Sequence, residues 1–294
     1  MKHTKSRAAL AGLAILGLGT SMALASCSKT DDAVSKDCKP AHENVKTVKK
    51  GTLTVGAIDI LPFSSYNNGK PEGIDVDIAK RVAKDNCLTV SWKSSTYADA
   101  VQSIKAKKID MAIGTIDRTE ERQEAVDFSA STYLDGMGLA SKKGYKTMKD
   151  MESAKSVGTI DGYLWVDDMK KIYGSKLKTY PSSVELKADF DAGRLDAAVD
   201  SYGTAAVMYK KEKGVSIALA NAKPDKRVGA LTKAPQAAFP LTKGNKSLNE
   251  AASDSIEKMR KDGDIKKLLA AKDLTEDLAG TNEEMAEAYS VPKS

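Results

Sequence analysis

The sequence predicts an α/β protein of two lobes, each built on a parallel sheet with helices packed against it. Three observations carry this expectation. Apolar strands and amphipathic helices alternate across residues 52–113, the same rhythm returns across 155–209, and the stretch between them, 133–142, is extended and contains glycine. A strand that leads through a helix to another strand of the same sheet returns by a right-handed crossover, so such strands run parallel. Two runs of this kind separated by an extended link make two sheets.

The chain opens on a segment that stands outside this fold. Lys2, Lys5 and Arg7 precede an apolar run over 8–25, and Leu24-Ala25-Ser26-Cys27 closes it with small residues ahead of a cysteine. Charge, length and exit together read as a secretory leader over 1–26. The apolar run is about 18 residues long, the lower limit for crossing a bilayer. Residues 24–27 resemble the bacterial lipobox, which implies cleavage before Cys27, diacylation of its sulfur, and anchoring to the membrane lipid instead of spanning it. An uncleaved anchor helix, or a leader cut elsewhere, is the other reading. Residues 27–48 have few large apolar side chains and no sustained period, which predicts a flexible tether.

The folded body begins with TLTVGAI at 52–58, a buried strand. Pro62, Asn67-Asn68-Gly69 and Pro71-Glu72-Gly73 mark tight turns. A helix follows over 75–88, with Val76, Ile78, Val82 and Ala83 toward the core. Next come a strand at 88–92, a helix at 98–106 carrying Ala100, Val101 and Ile104, and a strand at 109–113 that enters the polar loop GTIDRTEER. In the second run, 155–160, 177–180 and 195–199 read as strands, and 163–172, 183–192 and 203–209 as helices. Amphipathic helices at 249–261 and 264–271 close the body, with Leu248, Ala252, Ile256 and Met259 on one face. Residues 276–294 read as a loosely attached acidic helix and tail.

Composition removes several function classes. The formal charge is +6, and Lys2, Lys5 and Arg7 of the leader supply three of those charges, leaving about +3 on the body. The lysines are interspersed with Asp and Glu, and aromatics make up only 5% of the chain, so no nucleic-acid surface is expected. The two histidines, His3 and His42, lie outside the periodic core, which argues against a zinc site or a His-dependent triad; neither metal nor cofactor is expected. Besides Cys27 there are Cys38 and Cys87. Outside the cytoplasm these either bridge the tether to the end of the first helix or remain two separate thiols, one exposed and one in the core.

Five segments carry a family resemblance. PFSSYNNGKPEGIDVDIAKRVA at 62–83, SIKAKKIDMAIG at 103–114, TEERQEAVDFSASTY at 119–133, GRLDAAVDSYGTA at 193–205 and LTKGNKSLNEAASDSIEKMRKDGDIKKLL at 241–269 follow one another in order. Together they resemble the family 3 extracytoplasmic solute-binding proteins of polar amino acid ABC transporters, over about residues 49–273. The resemblance implies a type II periplasmic-binding-protein-like clamshell of two mixed, mostly parallel sheets. Lobe one would comprise 49–138 and 228–275, and lobe two 139–227. It further implies a monomer that is not an enzyme, takes an amino acid into its cleft and hands it to the permease subunits of a membrane importer. A ligand-binding signalling receptor of the same fold, a dehydratase-like enzyme and a structural lipoprotein are the alternatives.

The resemblance also nominates the site. Arg122 falls where the family's arginine clamps the ligand's α-carboxylate, and a guanidinium fork is suited to that by two parallel hydrogen bonds and a permanent charge. Thr119 is placed to cap the short helix that carries it. Gly114, Thr115 and Asp117 match the loop that holds the ligand's carboxylate and ammonium, Tyr97 a wall position, and Gly162 and Tyr163 the start of a helix in lobe two whose amides can receive an anion. Three departures stand out. Asp117 replaces a common serine, where an acid beside a carboxylate is unfavourable unless a cation offsets it. Ser201 occupies the position of the aspartate that pairs with the ligand's ammonium, with Asp200 one residue earlier, and Tyr163 and Leu164 replace two threonines. Aromatic cover is expected from Tyr163, Trp165 or Tyr202. Trp165 reads equally as cleft lining or helix packing, while Asp59 and Phe63 read equally as cleft groups or as a turn residue and a core ring.

Overall fold

A computed structural model describes residues 34–67, 70–287 and 291. The leader, Cys27, the first part of the tether and most of the extreme tail lie outside the described residues. In chain order the elements are β1 (Thr52–Ile58), β2 (Ser65–Asn67), β3 (Lys70–Glu72), α1 (Ile74–Asp85), β4 (Thr89–Ser95), α2 (Tyr97–Lys105), β5 (Met111–Ile113), α3 (Glu120–Ala125) and β6 (Asp127–Leu134). There follow β7 (Met137–Ser141), β8 (Val157–Ile160), α4 (Val166–Tyr173), β9 (Leu177–Tyr180), α5 (Ser183–Asp191), β10 (Ala197–Ser201), α6 (Tyr202–Tyr209), β11 (Ser216–Leu219), β12 (Gln236–Leu241), α7 (Lys246–Lys261), α8 (Asp264–Ala270) and α9 (Asn282–Ala286).

Two five-stranded sheets result, in the orders β4-β1-β5-β12-β6 and β11-β7-β10-β8-β9. β1 pairs in parallel with β4 and β5, and β8 with β9 and β10. One strand in each sheet runs against the others: β12 is antiparallel to β5 and β6, and β7 to β10 and β11. The sheets are therefore mixed, with four of five strands sharing a direction. β1 is buried along its length apart from Thr52, as a central strand covered on both faces must be. Its Leu53, Val55 and Ala57 join Ile74, Ile78 and Val82 of α1 and Leu248, Ala252 and Ile256 of α7 in one core. Entry into α1 needs glycine: Gly73 has φ 133, and a Cβ there would lie 2.4 Å from the Phe63 carbonyl oxygen.

The chain passes between the sheets twice. The first passage runs from β6 into β7 through Asp135 and Gly136, within the extended stretch read from the sequence; the second runs from β11 to β12 over residues 220–235. The Asp135 N–H donates to the Pro235 carbonyl at 2.8 Å, tying the two passages together. β11 and β12 were not legible as strands. QAAFPL in β12 carries Pro240, which cannot donate to a ladder, and its register with β6 shifts on either side of Ala238 to accommodate it.

Two expectations are corrected. Residues 38–48, read as flexible tether, are held to the body. Cys38 is disulfide-bonded to Cys87, the Ala41 N–H donates to the Asp85 carbonyl at 2.8 Å, and the His42 N–H to Asn86 Oδ1 at 3.2 Å. The Val48 N–H donates to the buried Asp110 carboxylate at 2.6 Å. The physical reason is that Asn86 Oδ1 and Asp110 Oδ1 are acceptors that this segment's N–H groups satisfy. The tail is likewise not loose. Leu278, Met285 and Val291 are buried, Gln236 Nε2 donates to the carbonyls of Glu284 and Glu287 at 2.8 and 3.0 Å, and Val291 pairs with Arg118 and Glu120 by two hydrogen bonds of 3.0 Å. Its few apolar side chains, spaced along an acidic sequence, are what seat it.

The disulfide joins residues 49 apart in sequence. Cross-linking of that span restricts the unfolded chain, so a Cys38→Ser variant is expected to lose about 2–4 kcal/mol in denaturant unfolding. An unchanged unfolding midpoint would show that the segment before β1 lies outside the cooperative unit.

Candidate functional site

The cleft is organised by the loop that follows β5. Gly114 and Thr115 both have positive φ, 122 and 52, and this turns their two N–H groups toward one carboxylate. Asp75 Oδ2 accepts from both, at 2.8 and 3.2 Å, while Asp75 Oδ1 accepts from the Tyr133 hydroxyl at 2.7 Å. These amides were expected to face a ligand; they are instead engaged by Asp75, which is 1% exposed. Sequence reasoning missed Asp75. The signal was present, because Asp75 falls three and seven residues before Ile78 and Val82, on the apolar stripe of α1. Tyr97 locks the loop from the other side, its hydroxyl donating to the Gly114 carbonyl at 2.5 Å and meeting Thr115 Oγ1 at 2.7 Å.

Arg122 rises from α3, where Thr119 Oγ1 caps the helix by accepting from the Arg122 N–H at 3.1 Å. Its guanidinium spans the lobes: Nη1 donates to the Asp117 carbonyl at 2.8 Å and Nη2 to the Gly162 carbonyl at 2.9 Å. Gly162 has φ 81, and a Cβ there would come within 3.2 Å of the Tyr97 Cβ, so this crossing point favours glycine twice over. The Tyr163 ring meets Tyr97 edge to face at 4.8 Å and Trp165 at 4.9 Å. Trp165, 2% exposed, donates from Nε1 to Thr159 Oγ1 at 2.9 Å, which makes it the packing behind Tyr163. The helix expected from residue 163 starts at Val166, because 161–165 form a turn that directs Tyr163 inward; its first amides do not lie at Gly162.

Phe63 stacks on Tyr133 at 4.8 Å, and its ring also faces lobe two, where a Cβ at Gly203 would lie 2.5 Å from it. Asp59 is exposed, and Tyr202 is half-buried with its N–H on the Gly136 carbonyl at 2.7 Å. Asp200 and Ser201 point to different partners, as neighbours on a strand do. Asp200 Oδ1 accepts from the Tyr163 hydroxyl at 2.8 Å, whereas Ser201 Oγ donates to Asp135 Oδ1 at 2.7 Å. The Gly136 N–H donates to the same Asp135 oxygen at 2.8 Å. Asp135 was not singled out from the sequence, although it sits in the Gly-containing stretch assigned to the passage between lobes. A cavity of about 750 Å³ is lined from both lobes by Arg122, Gly162, Tyr163, Asp168 and Arg227, and also by Val291 of the tail.

The site is unusually acidic for a buried one. Asp75, Asp117, Asp135 and Asp200 are at most 5% exposed, and burial pushes all four carboxyls above their usual range: Asp75 and Asp200 to about 6, Asp117 to about 7, and Asp135 well upward with the Asp117 charge as its second cause. A carboxyl whose folded pKa is raised binds more protons folded than unfolded. Its stabilising contribution is fully present below the unfolded value of 3.8 and is lost as pH rises through the folded value. The ligand-free body is therefore expected to unfold at higher denaturant at about pH 5 than at about pH 8, each tenfold difference in proton affinity between the folded and unfolded carboxyl being worth about 1.4 kcal/mol. A midpoint that rises across that window would contradict the effect of burial on these four acids.

Two mixed sheets, two passages of chain and a cleft crossed by side chains of both lobes define a type II periplasmic-binding-protein fold. A solved ancestral arginine-binding protein bound to arginine shares it with a TM-score of 0.66 and 28% identity, over 76% of this chain and 98% of that one. The description of bacterial extracellular solute-binding proteins, family 3, fits residues 53–271, and the chain belongs to that family. Among its relatives is the L-cystine-binding protein TcyJ of Escherichia coli (strain K12), 27% identical over 231 residues, 76% of this chain and 83% of that protein. The lysine/arginine/ornithine-binding periplasmic protein of the same organism is 28% identical over 232 residues, 76% of this chain and 86% of that protein. Among the described residues no helix is long and apolar enough to cross a membrane, and no group of three His, Cys, Asp or Glu side chains is placed to hold a metal ion.

Proposed function

We propose that this protein captures an amino acid between its lobes and delivers it to the permease of an ABC importer, held at the outer face of the membrane by a lipid on Cys27. The observation that carries the reading is Arg122, whose guanidinium touches a carbonyl of each lobe at the point where they meet. A ligand α-carboxylate can take up this fork and replace the two carbonyls, so that binding and lobe closure become one event. Tyr97 and Tyr163 supply the walls, with the Thr115 hydroxyl 2.7 Å from that of Tyr97. The amino acid ligands for which the relatives and the solved neighbour are named support the same class.

In this reading the protein is a binder and not an enzyme, and it works as a monomer. Lipidation adds a kinetic advantage, since a receptor kept at the membrane surface meets its permease at raised effective concentration. Thermal shifts of the purified protein against all amino acids provide the test, because a ligand of the folded state raises apparent stability by mass action. The expected result is a shift for a narrow set of amino acids that are recovered unchanged, together with incorporation of a labelled fatty acid that a Cys27→Ala variant loses. If no amino acid shifts the transition, or if the ligand is consumed, the reading fails.

A further inference from the structure

The family description ends at residue 271, yet the chain continues through α9 to Val291 and packs on lobe one. This added length is anchored at several points. Leu278, Ala279, Met285 and Val291 are buried, and Arg260 Nη1 donates to the Ala279 carbonyl at 2.8 Å. α9 opens on a reciprocal cap, in which the Glu284 N–H donates to Thr281 Oγ1 at 3.1 Å and the Thr281 N–H to Glu284 Oε2 at 2.8 Å. The far end of the tail reaches α3, the helix that carries Arg122. α3 is six residues long and contributes no buried residue to the core, so it has little packing of its own to hold it. Val291 pairs alongside Thr119, the cap of α3: its N–H donates to the Arg118 carbonyl and its carbonyl accepts the Glu120 N–H, both at 3.0 Å. The Glu120 N–H is a first-turn donor that the helix itself cannot satisfy.

Gln236 closes the ring. Its carbonyl accepts the Arg118 N–H at 3.1 Å, its Nε2 donates to the Glu284 and Glu287 carbonyls, and its Oε1 accepts from Ser131 Oγ at 2.7 Å. It begins β12, directly after the Pro235 carbonyl that ties the two passages between the lobes together. The tail therefore joins the hinge to the start of the arginine helix, and Val291 lines the same cavity as Arg122. Resting on the amino-acid reading above, we propose that the tail from 276 to Val291 is a strap that positions Arg122 for the ligand, with Val291 and Gln236 as its positioning residues. A guanidinium fork holds a carboxylate by two parallel hydrogen bonds, and a small error in its angle forfeits one of them. Without the strap the Arg118 carbonyl and the Glu120 N–H lose their partners, and the start of α3 is left to the Thr119 cap. Holding the fork in place before the ligand arrives removes an ordering cost from binding.

The test compares the unchanged protein with Val291→Pro, which removes one N–H and keeps the rest of the tail, and with a chain shortened after Gly280. In the ligand-free proteins, hydrogen exchange over residues 118–126 is expected to quicken by about 10-fold or more in both variants, with the amides of β1 and α7 unchanged. Should the shortened chain not fold, Val291→Pro carries the test. Calorimetry then uses whichever of the standard amino acids and cystine most raises the melt of the unchanged protein. Val291→Pro is expected to raise its Kd by about 10-fold or more when Arg122 is present, and by less than about threefold in an Arg122→Ala background, since two residues acting through one contact are not additive. A merely structural tail would lower the melt and leave that difference between backgrounds at zero. Unchanged exchange over 118–126, or an equal loss of affinity in both backgrounds, overturns the strap and leaves the amino-acid reading standing. If no amino acid binds the unchanged protein, the amino-acid reading fails, and the exchange measurement decides the strap by itself.

Discussion

Arg122→Ala is expected to lose about 2–5 kcal/mol of ligand affinity, roughly a 30-fold to several-thousand-fold rise in Kd, with the unfolding of the ligand-free protein little changed. The size follows from what is left behind, a ligand carboxylate drawn into a closing cleft without its charged partner. Arg122→Lys restores the charge without the planar fork, and its ammonium cannot reach the Asp117 and Gly162 carbonyls at once, so it is expected to recover only part of the loss. Titration calorimetry of the three proteins with one ligand decides the matter. Wild-type affinity in Arg122→Ala would remove the carboxylate clamp from the account.

Asp75→Ala is expected to destabilise the fold itself, by about 3–5 kcal/mol, and to abolish binding wherever the protein still folds. The carboxylate collects the Gly114 and Thr115 N–H groups and the Tyr133 hydroxyl. Its removal leaves three buried donors facing nothing. It also frees a loop whose positive φ at Thr115 is held by those bonds. Asp75→Asn keeps the shape and one acceptor but presents a donor to at least one donor, and falls between the two. Denaturant unfolding measures the effect. A loss below about 1 kcal/mol in the alanine variant would show that the loop is held by other means.

Fold and site were legible to different depths. The alternation of apolar strands and helices over 52–113 and 155–209 sufficed for two sheets, because burial of both faces writes itself into unbroken apolar runs. β12 was hidden because Pro240 breaks the strand pattern and a shift of register rescues it in the third dimension. The docked stretch before β1 and the tail were hidden for a related reason: their backbone N–H and carbonyl groups bond to Asn86, Asp110, Gln236 and Arg118, which leaves no trace in a sequence, and the tail's buried apolar side chains are few and widely spaced. In the site, Arg122, Tyr97, Gly162 and Tyr163 meet across the cleft. Asp75 and Asp135 went unread because one acid in an apolar stripe and one in a glycine-containing link look like ordinary surface groups until tertiary structure buries them. The start of α4 was misplaced by three residues, since Tyr163 suits a helix locally while the turn at Gly162, with φ 81, and the Tyr163 hydrogen bond to Asp200 hold it outside one.

Capture of an amino acid between two lobes that close on it requires the distance between those lobes to change. Spin labels placed at Lys105 at the end of α2 and Lys171 in α4 report that distance directly. With saturating ligand a broad distribution is expected to collapse to one short distance, and Arg122→Ala to prevent the collapse. A distribution unchanged by a ligand that calorimetry shows to be bound would contradict closure.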